Sequence, residues 1–445
     1  MNDIAIEQDA ELLRAEILRL SARYAELAHA EQKFDPARSP VPVNGKVFGA
    51  PEMVSLVDSA LDFWLTTGRF NDAFEERLAK ILGTRYLLTC NSGSSANLLA
   101  VSALTSHLHG TDALQPGDEV ITCATGFPTT VNPLLQNNFT PVFIDAELPT
   151  YNIRADLIES AITPRTRAIV IAHTLGNPFD LDTVMAVAKQ HNLRVIEDCC
   201  DALGGTYKGQ QVGNFGDVST LSFYPAHHIT TGEGGAVFTR NSTFKRALES
   251  IRDWGRDCWC APGQDNTCKQ RFGWQLGGLP AGYDHKFTYS HLGYNLKMTD
   301  MQAAVGLAQL DRLDGFIATR KENFRELHKG FSKWEEFFIL PEATPGSDPS
   351  WFGFPLTVLP EAPFTRDALV QHLNRARIGT RYLFGGNLIR QPYMVGRNFK
   401  VHGETPNADL VMTNTFWIGV YPGIDDIRRD YILETVESFI KSTVL

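Results

Sequence analysis

The chain has 445 residues, 43% of them hydrophobic and 21% charged, with a formal net charge of −10. This is ordinary for a globular protein with room for a sizeable core, at roughly 100–200 residues per domain. The acidic balance argues against nucleic acid or an anionic membrane as the main partner, because both select basic surfaces.

The opening "MNDIAIEQDAELLRAEILRL" lacks the basic start and apolar run of a signal peptide, and no long apolar stretch follows that could span a bilayer. A cytoplasmic protein is expected. Seven cysteines are too few and too uneven for a disulfide framework in a chain this long. Residues 1–45 read as a helix and an arm. Leu12, Leu13, Ile17, Leu20, Tyr24 and Leu27 recur at helical spacing over 9–30, and the Pro-rich "FDPARSPVPVNGK" follows.

Residues 46–300 read as a large α/β domain. Short β-branched or apolar runs alternate with helical patterns: "RYLLT" (85–89), "EVITC" (119–123), "PVFID" (141–145), "RAIVIAH" (167–173), "RVIED" (194–198), "VSTLSF" (218–223) and "GAVFT" (235–239). Runs apolar on both faces predict a mostly parallel sheet covered on both sides. Ligands in such folds bind beyond the carboxyl ends of the strands. A helix capped by Thr299 and Asp300 opens the last part, 301–445, which reads as a smaller α+β domain.

The strand ends carry the chemistry. After the first run comes "CNSGSSANLLAVSAL", where Gly93, Ser94 and Ser95 open a helix whose N–H groups suit a phosphate; an ordinary helix cap is the plainer alternative. Phe127, after the second run, is either a core aromatic or a ring that stacks on a flat cofactor. Asp198 ends a strand and is either a cap or the partner of a pyridinium nitrogen. Ser222 ends another, followed by His227 and His228 in "YPAHHITTGEGG".

In this order, with "LGYNLKMTDMQAAVG" downstream, the motifs resemble the fold type I, aspartate-aminotransferase-type vitamin-B6 enzymes, in the branch that acts on nucleotide-linked keto-sugars. The resemblance runs from about residue 45 to the C-terminus. It implies that Ser94, Ser95 and Ser222 hold the cofactor phosphate with Gly93, that Phe127 stacks on the ring, and that Asp198 pairs with its nitrogen. It implies that Asn295 of "GYN" reaches the cofactor of a neighbouring subunit, hence a homodimer. Asp201 stands where relatives carry Gln beside the cofactor's phenol oxygen.

One position departs from the pattern. His227 stands where the family's aminotransferases carry the lysine that links to the cofactor. An imidazole makes no such link but moves protons near neutral pH. The resemblance then implies pyridoxamine 5′-phosphate held non-covalently, with pyridoxal 5′-phosphate as its oxidised form. His227 serves as base in the loss of a C3 hydroxyl from a 4-keto sugar. The electrons come either from glutamate or one at a time from a redox centre.

Cys258, Cys260 and Cys268 fall within eleven residues of a loop with Gly and Pro, which in a cytosolic chain reads as a metal or iron–sulfur site. Cys200 is the expected fourth ligand, with Cys199 as the alternative. A [2Fe–2S] cluster, a structural zinc and free thiols are the candidates. Cys90 and Cys123 are expected to be buried and inert. The spacing from Cys200, with "SFYPAHHIT" and "DCCDALG", resembles the CDP-6-deoxy-L-threo-D-glycero-4-hexulose-3-dehydrase family of 3,6-dideoxysugar biosynthesis. That resemblance implies CDP-4-keto-6-deoxyglucose as substrate, an NADH-dependent flavin/iron–sulfur reductase as partner, and products destined for lipopolysaccharide O-antigen. "RYLFGGNLIRQPY" (381–393), with Arg381 and Asn387, is a candidate contact for the sugar nucleotide. A glutamate-recycled dehydratase without a cluster and a non-catalytic binding protein are the alternatives.

Overall fold

The computed structural model describes residues 3–30 and 33–444. Each apolar run becomes a strand: β1 (Tyr86–Cys90), β2 (Glu119–Cys123), β3 (Thr140–Ile144), β4 (Thr166–Ala172), β5 (Arg194–Asp198), β6 (Val218–Ser222) and β7 (Gly235–Thr239). They lie in the order β1-β7-β6-β5-β4-β2-β3, and a two-residue strand, Lys400–Val401, adds to the β3 edge. Both faces are covered, so β2, β3, β6 and β7 are buried at every position.

The sheet is parallel except at β7, which runs antiparallel to β1 and β6. The cause is the link before it. Parallel neighbours need a full crossover, whereas β6 and β7 are joined by the helix-free segment 223–234, which turns the chain straight back. That wide turn carries His227. The register sets Ala172 level with Asp198 and Asp198 level with Thr220, so the carboxyl ends of β4, β5 and β6 form one ledge.

The smaller unit is an antiparallel sheet of Phe338–Ile339, Gly353–Val358, Thr415–Gly419 and Arg381–Tyr382. Its core includes Phe324, Phe331, Phe354, Leu369 and Val436, and Val41 of the arm joins it. The division between units lies later than residue 300. Helix Asp300–Gln309 packs Ala303 and Ala304 into the large core, beside Phe74.

The N-terminal helix spans Asp3–Ala28, starting before the expected position. Its apolar residues do not pack as their spacing suggests. Leu12 and Leu13 are 69% and 64% exposed, and Leu27 is 73% exposed. Polar contact holds the helix instead: Arg14 bonds Asp58 at 2.7 Å through Nε and Asp62 at 2.7 Å through Nη2, both on helix Ala50–Asp62. No helix among the described residues is long and apolar enough to cross a membrane.

Candidate active site

A cavity of about 660 Å³ opens between the strand-end ledge and the small unit. Asp198 forms its floor and is buried at the end of β5. One carboxylate oxygen accepts from Asn97 at 2.8 Å and Thr130 at 2.7 Å, the other from the Cys200 amide at 3.1 Å. Thr220 donates in turn to Asn97 at 2.7 Å, which fixes the amide's orientation. Asn97 and Thr130 escaped the sequence reading. Asn97 lies one helical turn after Gly93, and that spacing is the only signal the sequence offered.

The helix Gly93–Ala103 starts against β6, and Ser92 caps it by accepting the Ser95 amide at 3.0 Å. Gly93 and Ser94 line the cavity with Ser222. Ser95 does not; its hydroxyl is turned to Ser92 at 3.0 Å. Glycine at 93 follows from crowding, because a Cβ there would sit 2.4 Å from the Ser222 Cβ. Gly93→Ala therefore pushes the helix start off β6, costing about 1–3 kcal/mol. A lowered melting temperature checks this, and a native-like variant would refute it.

Phe127 is no core aromatic. It caps helix Pro128–Gln136 from the cavity wall and is 50% exposed, edge-to-face with Phe384 at 5.8 Å. Its ring is free to accept a flat partner. His173, unremarked in the sequence, also lines the cavity; its ring stacks on Phe179 at 4.3 Å and meets Glu197 at 3.2 Å.

His227 projects from the β6–β7 turn into the cavity, its ring 5.1 Å from that of Phe352. Arg320, 1% exposed on helix Leu313–Phe331, donates to the His227 carbonyl at 3.2 Å and so fixes the turn. Burial, with the Arg320 charge adding, pulls the imidazole down to about 4, which leaves it neutral at physiological pH. Nδ1 lies 3.4 Å from Asp201 Oδ1, too poorly aligned for a hydrogen bond. Burial beside Asp198 pushes the Asp201 carboxyl well up. Asp201 lines the cavity and faces the His227 imidazole.

His228 faces away from the cavity. It is 2% exposed and its Nε2 donates to the Ser350 carbonyl at 2.6 Å, so it braces the turn. No lysine lines the cavity among the described residues.

The cysteines divide. Cys90 and Cys123 are buried, each thiol pushed up to about 12 by burial. Cys199 is 1% exposed within the large core, whereas Cys200 lines the cavity. Cys258, Cys260 and Cys268 share one partly open loop, where burial and the adjoining Cys260 and Cys268 thiols shape the environment of Cys258. Cys260 Sγ lies 3.0 Å from the Thr267 hydroxyl. The Cys200 thiol lies 4.0 Å from the Thr220 hydroxyl, and no hydrogen bond joins it to this loop among the described residues.

One expectation for a polar side chain needs correction. Asn387 binds no ligand: it is wholly buried and spends its amide on Thr405 at 3.1 Å and Asp409 at 2.8 Å. Asn295 lies outside its own chain's cavity, exposed and accepting from Lys297 at 2.9 Å. Arg381 does line the cavity, with Tyr382 beside it.

Residues 50–437 match the model of the DegT/DnrJ/EryC1/StrS aminotransferase family. The chain belongs to this family. It is 59% identical over 427 residues to lipopolysaccharide biosynthesis protein RfbH of Salmonella typhimurium, covering 96% of this chain and 98% of that protein. It is 51% identical over 415 residues to dTDP-4-dehydro-2,6-dideoxy-D-glucose 3-dehydratase of Saccharopolyspora spinosa, covering 93% and 90%. Among solved structures, GDP-4-keto-6-deoxy-D-mannose-3-dehydratase of E. coli with bound hydrated PLP aligns with a TM-score of 0.79 at 27% identity, covering 89% of this chain and 98% of that one. A histidine-to-asparagine mutant of GDP-4-keto-6-deoxymannose-3-dehydratase with bound GDP-perosamine gives 0.80 at 27%, covering 89% and 100%. The DegT-family chain thus has the expected fold type I architecture, with a mixed and mostly parallel central sheet, and its relatives act in sugar-nucleotide and lipopolysaccharide biosynthesis.

Proposed function

We propose that the protein is a sugar-nucleotide 3-dehydratase that removes the C3 hydroxyl of a 4-keto-6-deoxy sugar, with His227 as the base. The observation that carries this reading is a neutral imidazole at the cavity wall with no lysine among the described lining residues. An aminotransferase that resets its cofactor through a lysine amine has no amine to use here.

The cavity suits pyridoxamine or pyridoxal 5′-phosphate. The helix start at Gly93 and Ser94, with the Ser222 hydroxyl, lines the cavity and suits the phosphate. Asp198, held by Asn97 and Thr130, offers a fixed carboxylate to a ring nitrogen, and Phe127 offers a face. When bound, the cofactor supplies the amine that engages the 4-keto carbon and the electron sink for the elimination. His227 accepts the proton at its cavity-facing side, with the Phe352 ring packed beside it.

The finer reading is a CDP-4-keto-6-deoxyglucose dehydrase that works as a cytoplasmic homodimer. It holds a [2Fe–2S] cluster at Cys258, Cys260, Cys268 and Cys200 and is served by a reductase. Three neighbouring thiols in one open loop support it. The second reading is a dehydratase recycled by glutamate, without a cluster; the neighbouring structure of GDP-4-keto-6-deoxymannose-3-dehydratase with a trapped PLP-glutamate geminal diamine supports it. Iron and sulfide analysis with reduced-state EPR on anaerobically purified protein separates the two. One [2Fe–2S] signal per chain that is lost in Cys258→Ser is the expected result. Iron-free protein that turns over with glutamate would defeat the cluster, and zinc in the loop would make the thiols structural.

A further inference from the structure

We infer that Arg381 is the residue that reads the diphosphate of a nucleotide-linked substrate, and that the cavity wall formed by the small unit is the nucleotide side of the site. This rests on the sugar-nucleotide reading above and gives its charge recognition a residue.

The charges around the cavity are unevenly placed. Two carboxylates, Asp198 and Asp201, stand on the strand-end ledge, and Arg381 is the one Lys or Arg among the described residues that line the cavity. A diphosphate is drawn to the wall that carries this one cation. Arg381 lies on the short strand Arg381–Tyr382, paired with Trp417 of Thr415–Gly419, so its backbone is fixed by the small sheet. Its side-chain bond is local, Nη1 to the Thr380 carbonyl at 2.8 Å, and no carboxylate lies within ion-pair distance among the described residues. Its neighbour differs: Arg366 is paired with Asp367 at 2.9 Å and stacked 3.8 Å over the Tyr382 ring. Arg381 is thus exposed and lines the cavity without a carboxylate partner among the described residues. A guanidinium suits a diphosphate because its planar fork makes paired, charge-assisted bonds. Tyr382, half exposed beside it, offers a ring edge for the adjoining nucleoside.

The test titrates full-length, cofactor-loaded protein by calorimetry with CDP, GDP and dTDP and with the three matching nucleosides. Wild type is compared with Arg381→Gln and Arg381→Lys. The diphosphate that binds best should lose roughly 10- to 100-fold in affinity in Arg381→Gln, the range of a hydrogen bond to a charged group, while its nucleoside is unaffected. Arg381→Lys should fall between, and rising salt should weaken the wild type more than Arg381→Gln. Unchanged diphosphate affinity in Arg381→Gln overturns the inference. So does an equal loss for nucleoside and diphosphate, or a wild type that binds no diphosphate. Arg381-dependent diphosphate binding in a protein that dehydrates no sugar nucleotide would sustain the inference and defeat the dehydratase reading.

Discussion

His227→Asn lowers dehydration by about 10²- to 10⁴-fold, the usual contribution of a positioned acid–base group, while the fold and cofactor binding persist. The ring makes no hydrogen bond that the fold needs: Nδ1 is unpartnered, and the turn is held through the His227 backbone by Arg320 and through His228 by Ser350. Single-turnover dehydration and exchange of solvent deuterium into the cofactor read the base directly, and both fall together. A variant that dehydrates near the native rate sinks the assignment. His228 could not take over, because its Nε2 is spent on the Ser350 carbonyl. His227→Lys should attach covalently to pyridoxal phosphate, readable by mass after borohydride reduction.

The second large effect is on stability in acid. His227 is buried with its imidazole pulled from 6.5 to about 4. The unfolded chain takes up this proton at about pH 6.5 and the folded chain does not, so stability is present above 6.5 and is lost as pH falls toward 4. The full difference is roughly 3 kcal/mol for this one group. His228, pulled down by burial and by Arg320, acts in the same direction. Asp201 acts in the opposite direction, because its raised carboxyl keeps a proton that the unfolded chain releases. The clean measurement is therefore a difference. In urea denaturation of ligand-free protein, wild type should lose stability relative to His227→Asn as pH drops from 7 to 5. Parallel curves would show that His227 titrates normally.

The fold was largely legible because it rests on runs of buried β-branched residues, and each run became a strand. The one antiparallel strand, β7, was not signalled, since strand direction depends on the length and shape of the preceding link. At the site, chemistry-bearing residues at strand ends were legible: Asp198, Ser222 and His227 line one cavity. Residues that act by filling or bracing were not. Arg320 carries no motif, and its role exists only because helix Leu313–Phe331 passes behind the His227 turn. Asn387 misled in the opposite sense, because an amide's outward or inward use is decided by neighbours far along the chain. The N-terminal helix misled through its spacing, which is a true helical period on a face that the rest of the chain leaves uncovered.

The segment that forms the outer cavity wall is anchored to the sheet it faces. Gly385 and Leu388 donate to the Gly126 and Ala124 carbonyls, Lys400–Val401 lies along β3, and the amides of Asn407 and Ala408 both donate to Asp145. A wall fastened along its length does not swing like a door. The opening is an aperture of set width, and molecules are sorted by whether they pass it, with side chains such as Phe127, Tyr382 and Arg381 as its adjustable parts.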